Sequence, residues 1–176
     1  MMTATRREWS ELYTFFTILS QGYLAAGTAE GTEGARLPVA LVQRQEHDGT
    51  RRYVIGAEEI HIQGTEIDER FPREDFATVA DMILEALSTV HDEEIEAPEG
   101  VEGFLNAVRI YDLEAMTDDR TDLYVAFWHP EAPLVGLRIY SRLCATDPLL
   151  DGGRTANLKM EQTGIRFSQP AVYKIN

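Results

Sequence analysis

Cysteine is almost absent from this chain. Cys144 stands alone among 176 residues. That excludes a disulfide scaffold and a thiolate zinc site, and a reduced, buried thiol is the simplest expectation. Lysine is nearly as scarce: Lys159 and Lys174 are the only two among 16 basic residues, set against 30 Asp and Glu. Long apolar runs are missing too. Nothing approaches the ~18 residues that a membrane span needs. Arg6, Arg7 and Glu8 stand where a signal peptide would carry its apolar stretch. A cytoplasmic protein without membrane contact is therefore expected. There is no internal repeat and no low-complexity tract. His47, His61 and His91 have no partner spacing that suggests zinc, and His129, after Trp128 at a strand end, reads as a surface histidine.

What is present is the ordinary mixture of a globular protein, 44% hydrophobic and 26% charged. It is enough for a single domain over 1–176 with a real core. The net charge of −14 is concentrated. Residues 1–45 balance four acids with four bases, 46–102 carry 17 acids and four bases, and 103–176 carry nine acids and eight bases. The stretch 136–176 is locally basic, with Arg138, Arg142, Arg154, Lys159, Arg166 and Lys174 against Asp147, Asp151 and Glu161. A −14 protein is a poor non-specific DNA binder, because Lys and Arg on phosphates supply most of that affinity. A basic end keeps DNA binding open. Arg in place of Lys among many acids fits a high-salt cytoplasm and fits a GC-biased genome equally.

Hydrophobic spacing divides the chain into alternating elements. Trp9, Leu12, Tyr13, Phe16 and Leu19 trace one helical face over 8–21, with Gly22 as the stop. The stretch 27–34 reads as a flexible loop. Residues 37–44 read as a strand, an edge one by Pro38. A turn at His47, Asp48 and Gly49 leads to short strands at 52–55 and 60–62. After Pro72, Phe76, Val79, Ala80, Ile83, Leu84 and Leu87 trace a second helix. An acidic loop, 92–100, precedes a short helix at 101–108. Residues 123–128 are apolar on both faces, the mark of a covered central strand. A neighbouring strand is expected over 134–141, and a weaker one over 157–163. The expected class is α/β, with a mixed sheet of about five strands flanked by helices.

The chemistry sits at the head of the covered strand. Asp122 immediately precedes it, beside core yet within reach of solvent. Hard oxygen ligands placed so are how metal-dependent nucleases hold Mg2+, with waters and substrate phosphate completing the shell. The next strand would normally add an acid and, two residues on, a lysine on the same face. In this chain those positions hold Arg138 and Tyr140.

At this point the sequence resembles a family, the HpaII-type restriction endonucleases of the PD-(D/E)XK nuclease class. Trp9, Glu11 and Tyr13 match its opening helix, and 53–62 its short strands. Residues 115–123 match the segment whose Asp is the metal ligand, here Asp122. Residues 136–141 sit where the family reads G-F-S-I-K-S, and 149–158 where it reads L-L-N-A-S-x-A-T-N-F; Ile175 and Asn176 also have counterparts. The resemblance implies a PD-(D/E)XK core, double-stranded DNA as substrate and CCGG as the type member's target. It implies Asp122 and Glu11 as metal ligands, and a cognate DNA methyltransferase in the same system. Arg142, Arg154 and Asn157 are the candidate DNA contacts.

Two departures bear on activity. Tyr140 stands where the family has the lysine that orients or activates water, and a tyrosine is neutral at pH 7. Arg138 stands at the family's serine. Lys159 and Glu161, two apart on a candidate strand, are a possible replacement for the lost pair, with Glu161 a third metal ligand. Arg138 itself is suited to phosphate. The family's chains also continue for roughly as long again past Ile175 and Asn176, so a truncated copy or a missing C-terminal half is expected. Three readings follow: a Mg2+-dependent type II restriction endonuclease, as a homodimer or with a missing C-terminal half; a catalytically impaired relative that binds DNA or pairs with a partner subunit; or an acidic interaction domain unrelated to nucleic acid, in which Asp122 and Tyr140 would lie far apart.

Overall fold

The chain opens with a short strand, Thr3–Thr5 (β1), whose last residue caps the first helix, Arg6–Gln21 (α1). Glu8 N–H donates to the Thr5 hydroxyl, and the Glu8 carboxylate accepts from Thr5 N–H at 2.7 Å. This capping box satisfies two otherwise orphaned donors. Gly22 ends the helix at φ 67, its N–H donating to Ile18 O at 2.8 Å. The later elements are Tyr23–Gly27 (β2), Glu33–Glu46 (β3), Gly49–Ile55 (β4), Glu59–Gln63 (β5), Asp68–Pro72 (β6), Arg73–Thr89 (α2), Glu94–Glu96 (β7), Val101–Ala107 (α3), Leu123–Phe127 (β8) and Val135–Leu137 (β9). The structure, a computed structural model, describes residues 2–29, 31–116 and 121–144, all within one compact unit, Met1–Thr146.

Seven strands form the main sheet in the order β6-β5-β4-β3-β8-β9, with β2 paired to β3. Every pairing among the described strands is antiparallel, which corrects the expectation of a mixed sheet of about five strands. The reason is connection length. The turns at 47–48, 56–58 and 64–67 are far shorter than a parallel crossover requires. β1 and β7 form a separate ribbon, so the acidic stretch at 92–100 is not purely loop. Its Ile95 is buried, and Ile95 O accepts from the Trp9 indole at 3.0 Å.

Three further expectations change. The glycine-rich stretch 27–34 is the end of a hairpin between β2 and β3. Pro38 lies inside the sheet, not at its edge. β3 changes partners along its length, pairing with β2 up to Pro38 and with β4 and β8 beyond it. Pro38 falls at the change, beside a register shift at 39–41, where a missing N–H is tolerated. Cys144 is only partly buried.

α1 joins the layers of the core. Phe15 meets Tyr53 of β4 edge-on at 4.9 Å, while Phe16 meets Phe76 of α2 at 5.3 Å and Phe104 of α3 at 5.8 Å. These rings are buried, except Phe104, which is partly so. Among the described residues, no helix is long and apolar enough to cross a membrane. The candidate strand at 157–163 lies outside the described residues.

Gly22 is a glycine whose left-handed conformation and close surroundings both exclude a side chain. A Cβ there would collide with the Arg73 guanidinium, which is held by Ser20 O at 2.7 Å and Gly56 O at 3.0 Å. Left-handed backbone alone costs a non-glycine residue about 1–2 kcal/mol. Gly22→Ala should therefore lower stability by about 2 kcal/mol, read as a lower urea midpoint with an unchanged slope.

Candidate functional site

Asp122 sits one residue ahead of β8 and closes the end of the β8–β9 ladder. Leu123 and Leu137 form the last strand pair, and Asp122 N–H donates to Leu137 O at 3.0 Å. Where another ladder bond would follow, Asp122 Oδ2 accepts from Ile139 N–H at 2.6 Å. The carboxylate thus stands in for a strand partner, and β9 stops at Leu137. This corrects the expected strand over 134–141: Arg138 and Tyr140 follow the strand, so period two does not set their faces. Asp122 nevertheless touches the residue between them, so it and the Tyr140 segment are neighbours.

Glu11 approaches from α1. Its carboxyl is pushed up to about 7. Partial burial is the main cause, followed by repulsion from Asp122 and then from Glu114; Arg44 and Arg7 pull the other way. Burial penalises the charged form, and a like charge nearby penalises it further. The fold therefore brings together two acids that sequence places at 11 and 122, with a third, Glu114, at their margin. Glu114 is half-exposed and pairs with Arg7 at 3.4 Å.

This donor set fits a hard divalent cation. Mg2+ is commonly held by one or two carboxylates, with water and substrate phosphate filling the rest. One oxygen of Asp122 is committed to Ile139 N–H, and its carboxylate retains further acceptor capacity. Among the described residues, no group of three or more His, Cys, Asp or Glu is placed to hold an ion by itself.

The remaining candidates divide. Arg138 lies with its guanidinium 5.2 Å from the centre of the Tyr140 ring, and Tyr140 is 45% exposed. Arg142 is exposed. Arg154, Asn157, Lys159 and Glu161 lie outside the described residues, as do 117–120 and 145–176. His129 is exposed and takes Glu131 N–H on Nδ1 at 3.1 Å, a surface turn contact.

Sequence reasoning passed over Arg44 and Glu114. Arg44 and Glu46 are two apart on one strand, hence on one face, and that spacing was the available signal for a buried pair. Arg44 Nη1 lies 2.8 Å from both Glu46 oxygens, and the Tyr53 hydroxyl donates to Glu46 Oε1 at 2.7 Å. Glu114 had no signal beyond being acidic.

Known proteins resemble this chain in sequence. A family model, HpaII restriction endonuclease, matches residues 5–176. One relative is the type II restriction enzyme HpaII of Haemophilus parainfluenzae, 22% identical over 173 residues, which covers 95% of this chain and 48% of that protein. The chain thus spans about half the length of that relative. No solved structure matches. Because the match runs from the N-cap of α1 through both acids and on to Asn176, the chain belongs to the HpaII restriction endonuclease family.

Proposed function

We propose that this chain carries the catalytic half of a type II restriction endonuclease that hydrolyses phosphodiester bonds of double-stranded DNA at a short specific site with Mg2+. What supports the reading is that Asp122, at the head of β8, lies near enough to the partly buried Glu11 of α1 to help push its carboxyl pKa up. Their shared repulsion is what a divalent cation would relieve. Glu11 and Asp122 are the residues that would hold it, with Glu161 a further candidate ligand. When bound, Mg2+ neutralises phosphate charge and acidifies a coordinated water. Arg138, next to the residue that Asp122 binds, is suited to a phosphate oxygen and supplies the positive charge that Tyr140 does not. Arg142, Arg154 and Asn157 are the proposed DNA contacts, and Lys159 a second source of charge. Cutting both strands calls for two such sites, hence a homodimer or a partner supplying the other half. A cognate methyltransferase in the same cytoplasm would protect host DNA. The PD-(D/E)XK core, with 1–176 as one domain, belongs to the same proposal.

A second reading has an observation of its own. Tyr140 occupies the lysine position and lies against Arg138, so a relative that binds DNA without cutting it fits the same site. Asp122→Asn separates the two. It keeps the acceptor for Ile139 N–H and removes the charge. On the catalytic reading, cleavage falls at least about 100-fold, the several kcal/mol that a polarising cation supplies, while DNA binding persists. Wild-type protein that binds duplex DNA in a salt-sensitive way but cuts nothing at any Mg2+ concentration supports the second reading.

Glu11 makes the site pH-dependent with a definite sign. Its folded-state pKa of about 7 exceeds the ordinary 4.5, so the folded form holds more protons between these values. Stability falls as pH rises through that window. In chelator at pH 8, Glu11→Gln should be more stable than wild type by about 1 kcal/mol, a figure reduced for solvent screening at a partly exposed group. The difference should vanish near pH 4. Added divalent cation should stabilise wild type and not the variant, measured by thermal unfolding.

A further inference from the structure

The helix that carries Glu11 and the segment that leads to Glu114 share one buried neighbour. Arg44, on β3, is 3% exposed. Its guanidinium lies over the Phe15 ring at 5.3 Å, and Phe15 is one helical turn beyond Glu11 on the same face of α1. Its Nη2 donates to Asp112 O at 3.1 Å and to Leu113 O, the residue before Glu114. Its strand neighbour Gln43 pairs with Tyr124, close after Asp122 on β8. Its remaining bonds go to Glu46, which Tyr53 holds from β4. Arg44 thus touches α1 at Phe15 and the segment before Glu114 directly, and it follows the last β3 residue that pairs with β8.

We propose that Arg44 is a positioning residue of the Glu11–Asp122 site: braced by Glu46 and Tyr53, it fixes α1 and the 112–114 segment against the β3–β8 pair, so that the acids meet at a spacing a divalent cation can bridge. The proposal rests on the cation reading of that site. A buried ion pair adds little stability over an apolar pair of similar size, since desolvation consumes most of the Coulomb gain. What an apolar pair cannot reproduce is the rigid fork that grips two carbonyls of the 112–114 segment while facing Phe15. By charge alone, Arg44 opposes a cation near Glu11. Positioning and charge therefore predict opposite signs when Arg44 is removed.

The test uses Mn2+ binding by calorimetry on the full chain, at one pH of about 8.5 for every variant. Arg44→Met/Glu46→Gln removes both buried charges and leaves no orphaned ion, so the chain should fold with near wild-type thermal stability. Its Mn2+ affinity should nonetheless fall about tenfold, the scale on which groups supporting metal ligands act. Arg44→Lys keeps the charge and loses the fork, and should fall several-fold; it carries the test if the double variant does not fold. Unchanged or tighter Mn2+ binding in a folded variant overturns the positioning role and leaves Arg44 as a structural ion pair. Absence of Mn2+ binding in wild type overturns the cation reading itself, and this proposal with it.

Discussion

Two carboxylates held near one another and partly out of water repel, and in an isolated chain nothing would keep them there. In this protein Glu11 and Asp122 are held by structure whose stability comes from elsewhere. The capping box at Thr5 and Glu8 fixes where α1 begins, and the left-handed turn at Gly22 fixes where it ends. Between them, Phe15 and Phe16 anchor the helix to the sheet and to α2 and α3. Asp122 is held by its own side chain, which closes the β8–β9 ladder. Repulsion is therefore stored at a site that the rest of the core can sustain, a common condition of functional centres.

The sheet sets the distances. β3 is the central scaffold: one half of it supports the β2 hairpin, the other lies between β4 and β8. Its Arg44 and Glu46 bury full charges inside that framework, where Glu46 accepts from Arg44 and Tyr53, and Arg44 also donates to Asp112 O and Leu113 O. Burial and the negative Glu46 beside it hold the Tyr53 hydroxyl far above its ordinary range, so it stays a donor. A polar network of this kind tolerates few alternative arrangements. Its Arg44 is close enough to Glu11 to draw its carboxyl pKa down.

Much of this was legible in the sequence. The faces of α1 and α2 follow from apolar residues at helical spacing, and all the residues of those stripes are wholly or partly buried. Asp122 was singled out by its place at the head of a covered strand together with family resemblance, since an acid there can equally serve as a turn cap. Glu11 was recognisable only through family resemblance, since one acid on a helix is ordinarily solvated. The hairpin at 27–34 was hidden because glycine-rich turns and loops have the same composition. The true length of β9 was hidden because a side chain, not a change of residue type, ends it.

By itself the sequence determined the two long helices, the inner strands and the family to which the chain belongs, because periodicity and short motifs are local properties of a chain. The antiparallel order of the strands, the approach of Glu11 to Asp122, and the placing of Glu114 and Arg44 beside them were decided only in three dimensions. Desolvation and Coulomb repulsion depend on separation in space, and residues 11, 44, 114 and 122 have no separation in space until the core closes around α1 and β3.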